Sequence, residues 1–280
     1  MLTVLLHDIK SLEMEFLNYV ALLIKKGYKI NLTFDDGYRS FYTDLFPFCK
    51  DKGIGVKIFL ITSRINHDNY LSSDQIREMD SSKLVDFQFH SHYHRLGFVS
   101  KRLKHIIRDD YDIKRFSHLF GSEGKIGYPV FEFRSLFAHR ELFFDYSTLN
   151  YLSSIYRENR KKYLSELDRF SDKFVFEREE DFVLRIKKEI EDGIEVFKNI
   201  LGRVPTEIAW PFGHSSEIVK NILKNYGINR FYTCKKGFNY DFTFEDIKRV
   251  EFRRPTESKL KFLYNMGRIK FLGKAYELLS

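Results

Sequence analysis

Two clusters of side chains able to bind a metal or move a proton lie in the first hundred residues, each directly after an apolar segment. Asp35 and Asp36 form the first cluster, and His90, His92 and His94 form the second. Two neutral imidazoles and one carboxylate leave coordination positions open for water and substrate, a set that suits catalytic Zn²⁺ and also Fe²⁺. The remaining carboxylate could then act as a general base.

The geometry of the histidine cluster depends on the backbone that follows the preceding strand. If the strand ends at His90 and a helical turn follows, His90 and His94 share one face and His92 points elsewhere. If the strand continues, all three imidazoles share one face. The sequence leaves both arrangements open.

Each cluster also has an ordinary structural explanation. Asp-Gly at 36–37 is a turn signal, and adjacent acids can cap a helix. A single histidine in a loop is usually only a polar surface residue. Three of the nine histidines within five residues, after an apolar strand, favour metal binding over that explanation.

Alternating strands and helices must position these side chains. The apolar patterns predict six short strands, at 3–6, 29–34, 56–61, 85–89, 208–210 and 230–233. Helical spacing predicts helices between them, including one over 181–200. This alternation favours parallel strands with helices outside, and an α/β barrel collects its polar chemistry at the carboxyl ends of the strands.

Two segments do not follow this alternation. Residues 103–173 are predicted to form an insertion, irregular at first and helical over 147–170. Residues 258–279 form a basic amphipathic helix in which apolar residues alternate with lysine and arginine. Such a helix can lie on an anionic membrane, but packing on the barrel is the favoured interpretation.

Composition bounds the remaining possibilities. The net charge is +8 and the pI about 9.2, but lysine and arginine are interleaved with acids, and no nucleic-acid motif occurs. Two cysteines make no disulfide framework. The first residues do not read as a signal peptide, and no apolar run is long enough to span a membrane, which predicts a cytoplasmic protein. The oligomeric state stays open.

Three ordered motifs carry a family resemblance. They are Thr33-Phe34-Asp35-Asp36-Gly37, His90-Ser91-x-x-His94 and Trp210-Pro211-Phe212-Gly213. In this order they resemble the first three motifs of the polysaccharide deacetylases, also called carbohydrate esterase family 4, and most closely an envelope-polysaccharide subgroup with a long insertion. The resemblance implies a distorted (β/α)7 TIM-like barrel and hydrolysis of an N-acetyl group on a sugar or polysaccharide.

The resemblance also implies roles for the motif residues. Asp35 would be the catalytic base, and Asp36, His90 and His94 the ligands of Zn²⁺, with Fe²⁺ or Co²⁺ as alternatives. The backbone N–H of Phe212 would help to hold the oxyanion. The side chains expected to contact the sugar are Tyr38, Trp210 and Phe212.

The sequence departs from the family pattern in two places. Many relatives orient the base with an arginine in the third motif, where this chain has Ala209-Trp210. Many also carry a Leu-x-His motif near the end, whose histidine is the general acid; here no histidine follows His214. His214 is therefore the slightly favoured acid. The other candidates are His7, His139 or the metal-bound water.

Two other functions are alternatives to this one. One is a metal-dependent amide hydrolase acting on a substrate that is not a sugar. The other is a metal-stabilised glycan-binding protein without catalysis, which the missing arginine and histidine favour. The intact base Asp35 argues against it.

Overall fold

A computed structural model describes residues 1–9, 11–240, 245–252 and 256–279. The chain divides into two compact units, the first made of Met1–Tyr93 and Lys188–Ser280 and the second of His94–Lys187. The strands are β1 (Leu2–Leu6), β2 (Ile30–Phe34), β3 (Val56–Leu60), β4 (Val85–Phe89), β5 (Leu96–Ile106), β6 (Pro129–Ser135), β7 (Leu142–Phe143), β8 (Val175–Phe176), β9 (Glu207–Ala209), β10 (Arg230–Tyr232), β11 (Asp246–Ile247) and β12 (Val250–Glu251). The α-helices are α1 (Ser11–Lys25), α2 (Phe46–Lys52), α3 (Ser73–Ser81), α4 (Asp110–Arg115), α5 (Ser117–Phe120), α6 (Tyr146–Glu158), α7 (Arg160–Arg169), α8 (Glu179–Leu201), α9 (Glu217–Asn225), α10 (Glu257–Arg268) and α11 (Lys270–Leu279).

The first unit is built on one eight-stranded sheet in the order β11-β10-β9-β4-β3-β2-β1-β12. Every neighbouring pair in it is parallel. All eight carboxyl ends therefore lie at the same edge of the sheet. The predicted α/β class is confirmed, and each of the six predicted strands is found within one residue of its expected bounds.

Burial explains why these strands could be predicted from the sequence. All five residues of β1 are buried, and β2, β3 and β4 each end in three consecutive buried residues. Strands covered on both faces appear as short continuous apolar runs. The sequence missed β11 and β12 because two-residue strands carry no periodic signal.

The second unit pairs β5 with β6 and β7 with β8, both antiparallel, and adds the helices α4 to α7. Its core is rich in aromatic rings, with Phe98, Tyr128 and Phe131 among the buried members. The prediction that the part before 147 is irregular is wrong. The β5–β6 pairing contains register shifts and most of β5 is partly exposed, so an even apolar alternation never develops.

The helix predicted over 147–170 is interrupted once. Helix α6 ends at Glu158, and the side chain of Asn159 accepts hydrogen bonds from the backbone N–H groups of Lys161 and Lys162 at the start of α7. Asparagine is a strong N-cap residue, so it begins a new helix here. The description of 103–173 as an insertion into a single barrel stays a prediction.

The basic segment predicted over 258–279 forms two helices, α10 and α11, which meet at Ile269. Leu260 and Leu263 are buried, and the ring of Tyr264 lies 4.2 Å from that of Tyr28 in the same unit. One face of α10 therefore packs within the first unit. Among the described residues, no helix is both long and apolar enough to cross a bilayer.

Candidate active site

The two aspartates lie in a tight turn directly after β2. The backbone N–H of Asp35 donates to the carbonyl of Leu6, which continues the β1–β2 pairing by one residue. Asp36 then takes a left-handed conformation with φ of 77°, and Gly37 follows with φ of 84°. The abrupt change of backbone direction sends the two neighbouring carboxylates to different places. The same turn leaves Asp35 only 2% exposed and Asp36 8% exposed.

Asp35 is held by an arginine that the motif comparison did not identify. Arg249 lies directly before β12, and its Nη1 and Nη2 donate to the two carboxylate oxygens of Asp35 at 2.6 and 2.9 Å. Its Nε donates to the carbonyl of Thr233 at 3.2 Å. The guanidinium also lies over the rings of Phe59 and Tyr232, at 5.5 and 5.9 Å. Arg249 is fully buried, so this ion pair is protected from solvent.

The arginine that the third motif lacks is therefore supplied from the short segment between β11 and β12. No role was predicted for Arg249 from the sequence. The signal was weak, because a two-residue strand shows no pattern and a single arginine reads as a surface residue. Only the parallel pairing of β12 with β1 brings Arg249 to Asp35.

Asp36, His90 and His94 together form a candidate metal site. Each offers one ligand atom, and these atoms lie within 4.8 Å of one another. His90 Nδ1 lies 2.9 Å from the carbonyl of Ala209, which can only accept, so Nδ1 carries the proton and Nε2 presents its lone pair. Nε2 lies 3.4 Å from an Asp36 oxygen and 3.9 Å from an Asp35 oxygen.

This donor set fits a divalent transition metal. One carboxylate and two imidazoles leave positions for water and substrate, as catalytic Zn²⁺ and non-haem Fe²⁺ sites do. The bond from His90 to Ala209 is the outer hydrogen bond that fixes the tautomer and ring orientation of metal-binding histidines. Metal binding at this site, and the identity of the metal, stay predictions.

The histidine loop adopts neither of the two backbones considered from the sequence. Ser91 and His94 have left-handed φ values of 63° and 53°, so the loop is neither a helical turn nor a continued strand. These two bends bring His90 and His94 together with Asp36. His92 lies elsewhere, with its Nδ1 2.8 Å from the Thr62 hydroxyl. Left-handed residues other than glycine are uncommon and concentrate at functional sites.

The electrostatics of His90 follow from its surroundings. Burial alone would lower its pKa, but the charges of Asp35 and Asp36 and the bond to Ala209 raise it above the ordinary value. The two carboxylates that favour a positive charge at this imidazole would also favour a cation bound at Nε2.

The third motif divides into a buried and an exposed part. Trp210 is 1% exposed and stacks on Phe231, with ring centroids 5.8 Å apart. It packs in the core, so the expectation that its ring faces a sugar is not supported. Phe212 has a left-handed φ of 57° and a 43% exposed side chain, a position open to a substrate. The oxyanion role of its N–H stays a prediction.

The remaining candidates are placed as follows. Tyr38 stacks on Tyr70 with ring centroids 5.2 Å apart. Burial, followed by the charge of Asp36, raises the pKa of its phenol. His214 is partly buried, with its ring 6.4 Å from that of Phe212. His7 is exposed after β1, and His139 Nδ1 lies 3.1 Å from the carbonyl of Ser135 in the second unit. These positions do not choose the general acid.

Part of the chain that contains the site resembles a known protein family. Residues 24–114 match the model of the polysaccharide deacetylase family. This segment contains Asp35, Asp36, His90 and His94, so the family resemblance carried by the first two motifs is confirmed. The resemblance to an envelope-polysaccharide subgroup stays a prediction.

One curated protein, YxkH of Bacillus subtilis, is named for the same family. It is 30% identical to this chain over 102 residues, which are 35% of this chain and 36% of YxkH. The chain thus matches about a third of the length of that relative. The similarity supports the family of the matched segment, while the activity of the whole protein is a separate proposal.

Solved structures with similar folds span most of the chain. The BpsB deacetylase domain of Bordetella bronchiseptica matches with a TM-score of 0.61 and 16% identity, covering 89% of this chain and 94% of that one. IcaB of Ammonifex degensii matches with a TM-score of 0.59 and 16% identity, covering 96% and 97%. At this identity the likeness shows the fold, and it confirms the predicted TIM-like α/β architecture.

Proposed function

We propose that this protein is a metal-dependent N-deacetylase, which hydrolyses the N-acetyl group of a sugar or glycan to release acetate and leave an amine. One arrangement carries the proposal: a buried carboxylate, Asp35, is fixed by Arg249 beside a site made by Asp36, His90 and His94. A hydrolase that activates water needs a base and an electrophilic site side by side. The family match of residues 24–114 supplies the acetylated sugar as the substrate class.

A Zn²⁺ or similar ion held by the three ligands would polarise the acetyl carbonyl and lower the pKa of water toward ~7. Asp35 would take the proton of the attacking water. Its two oxygens each accept one hydrogen bond from Arg249, and a carboxylate oxygen has a second lone pair with which to accept another. The Asp35 oxygen that lies 3.9 Å from His90 Nε2 is the one nearest the metal site.

Arg249 acts through Asp35 and is a positioning residue. A bidentate guanidinium fixes both the place and the plane of a carboxylate, which a single contact cannot do. The base therefore meets the water in one orientation at each turnover. Phe212 would donate its backbone N–H to the oxyanion, and His214 would protonate the departing amine.

The presence of Arg249 weakens the binding-only alternative. That alternative depended on two missing residues, an arginine for the base and a late histidine. Arg249, directly before β12, pairs with Asp35 and fills the first of these places, so only the general acid is still unassigned. A buried ion pair at a base is costly to maintain for a protein that only binds. An amide that is not on a sugar remains a second candidate substrate, because the same base and metal ligands could hydrolyse other amides.

A substrate panel tests the proposal. Acetate release is measured from N-acetylglucosamine, its oligomers and an acetylated non-sugar amine, with enzyme loaded with Zn²⁺ and with enzyme treated with a chelator. We expect release from at least one acetylated sugar only in the loaded enzyme. Acetate release from the acetylated non-sugar amine alone would show that the substrate is an amide other than an acetylated sugar. Equal release with and without metal would refute the mechanism.

A role in envelope polysaccharide synthesis and a cytoplasmic location belong to the same proposal.

A further inference from the structure

A pocket lies beside the carboxyl ends of β10 and β11, within the first unit. Its volume is about 660 Å³, and its lining consists of Cys234, Lys235, Lys236, Lys248, Lys274, Glu277 and Leu278. Residues 234–236 follow the carboxyl end of β10, and Lys248 lies between the carboxyl end of β11 and the amino end of β12. Helix α11 supplies the remaining residues. We call it the lysine pocket.

The lysine pocket adjoins the candidate active site. The Cys234 thiol interacts with the guanidinium of Arg249, which in turn holds Asp35. On its other side Cys234 packs closely against the third motif, since a Cβ added to Gly213 would lie 2.7 Å from the Cys234 Cβ. One cysteine and one arginine therefore separate the pocket from the base. A group bound in the pocket could belong to the molecule whose acetyl group is attacked.

The charge of the pocket is strongly positive. Four lysines and one glutamate give a formal charge of 4 − 1 = +3. The glutamate is already engaged, because Glu277 pairs with Lys248 at 2.5 Å and accepts the N–H of Phe238 at 3.0 Å. Lys235, Lys236 and Lys274 are exposed to solvent. Three lysines of the pocket are therefore at the solvent-exposed surface, and the one acid among the described lining residues pairs with the fourth.

A triple positive charge narrows the class of ligand. A sugar carboxylate brings one negative charge, whereas a phosphate monoester brings about −1.5 to −2 at pH 7, and a diphosphate adds further acceptor oxygens. Lysine binds phosphate as a point charge that needs no fixed geometry, which suits a cluster of flexible side chains. Phosphoryl groups match the charge of this pocket better than a single carboxylate does.

We propose that the lysine pocket binds the phosphate or diphosphate group of the substrate, so that the substrate is an N-acetylated sugar esterified to a phosphoryl group. This inference rests on the proposed deacetylase function and specifies its substrate. A soluble nucleotide sugar and a lipid-linked sugar diphosphate present the same chemistry to the pocket. The two sources differ in what lies beyond the phosphoryl group.

The test compares substrates and variants. The substrates are N-acetylglucosamine, its 1-phosphate, its uridine diphosphate ester and, in detergent micelles, its polyprenyl diphosphate ester. The double variant Lys235→Gln with Lys274→Gln removes two charges from the pocket. Lys26→Gln with Lys198→Gln removes two charges from exposed positions elsewhere in the same unit and is the matched control.

We expect the wild-type protein and the control to deacetylate at least one phosphorylated sugar with a kcat/KM roughly tenfold or more above that for N-acetylglucosamine. The pocket variant should lose most of that preference while keeping its melting temperature and metal content. The preferred ester, soluble or polyprenyl, names the source. Equal kcat/KM for phosphorylated and plain sugars, or a preference that survives in the pocket variant, would overturn the inference and leave the deacetylase proposal standing.

A binding measurement separates the two proposals if no substrate releases acetate. Inorganic diphosphate is titrated into the metal-loaded wild-type protein, the control and the pocket variant by calorimetry. Binding that weakens about tenfold or more only in the pocket variant, at unchanged metal content, would support the anion site even though the deacetylase proposal had failed. Equal binding by all three proteins would show that diphosphate does not use these lysines, and the inference would be wrong.

Discussion

Arg249 donates hydrogen bonds to both carboxylate oxygens of Asp35, across 214 residues of sequence. Asp35 follows β2, and Arg249 precedes β12, the strand at the end of the sheet beside β1. Both side chains are almost completely buried. The orientation of the candidate base thus depends on the last strand of the sheet, which carries none of the three motifs.

Replacing Arg249 tests this dependence. In Arg249→Lys the charge stays but the planar pair of donors is lost, so Asp35 can rotate. We expect kcat to fall by about 100-fold, the cost of a misplaced catalytic group, while KM and the bound metal change little. Steady-state kinetics measures kcat and KM, and elemental analysis measures the bound metal. Arg249→Met should instead lower the free energy of unfolding by about 3–5 kcal/mol, because it leaves a buried carboxylate unpaired.

The control for Arg249→Lys is Arg230→Lys, since Arg230 is half-exposed and its ion pair with Glu207 is 3.5 Å long. This substitution should leave kcat within about twofold of the wild type, as expected for a surface pair. A KM that rises in Arg249→Lys at constant kcat would place Arg249 in substrate binding instead, and the positioning role would have to be abandoned.

The histidine loop contains its own control for metal binding. His94→Gln and His90→Gln each remove a ligand and should abolish stoichiometric metal binding and turnover. His92→Gln, in the same loop, removes a side chain that contacts Thr62, and it should keep the metal. The metal content of each variant after dialysis shows which histidines are ligands. Retention of one equivalent of metal in His94→Gln, or its loss only in His92→Gln, would show that the ligand set is wrong.

Three histidine variants address the general acid. If His214 protonates the leaving amine, His214→Gln should lower kcat by about 10²–10⁴-fold and remove the alkaline limb of the pH–rate profile. His7→Gln and His139→Gln should leave both unchanged. The alkaline limb is the sharper observable, because a structural defect would lower kcat without changing the profile. Unchanged profiles in all three variants would point to metal-bound water as the acid.

Gly37 should be irreplaceable in the turn that carries the aspartates. An alanine there would be strained by the φ of 84°, and its Cβ would also lie 2.8 Å from Leu60 Cδ2. Gly27 has nearly the same φ, 86°, but nothing within 4 Å of the added Cβ. We expect Gly27→Ala to cost about 1 kcal/mol and Gly37→Ala clearly more, together with a loss of activity. Denaturant unfolding measures the difference; equal costs would mean that Leu60 moves aside freely.

Much of the fold could be predicted because its strands are short, buried and separated by helices of clear periodicity. The two aspartates and the histidine cluster were identifiable for the same reason, since each directly follows a strand. Their exact arrangement was not predictable. Left-handed backbone at Ser91 and His94 is decided by tertiary packing, and no local pattern distinguishes it from a helical turn or a strand.

The role of Arg249 could not be predicted from the sequence either. Its partner, Asp35, lies 214 residues earlier in the sequence, and the strand that follows Arg249, β12, is only two residues long. A buried arginine can only be recognised once the acid that compensates its charge is placed beside it in three dimensions. Trp210 shows the reverse case, where a motif residue expected to face a sugar packs against Phe231 in the core.

The most direct test of the central claim compares Asp35→Asn with Asp36→Asn. Acetate release from the best acetylated sugar and bound metal are measured in the same preparations. We expect Asp35→Asn to keep one equivalent of metal and to lose turnover, because the base is gone and the ligands remain. Asp36→Asn should lose both. Normal acetate release by Asp35→Asn, or loss of its metal with retention in Asp36→Asn, would contradict the assignment of base and ligand on which the proposed function depends.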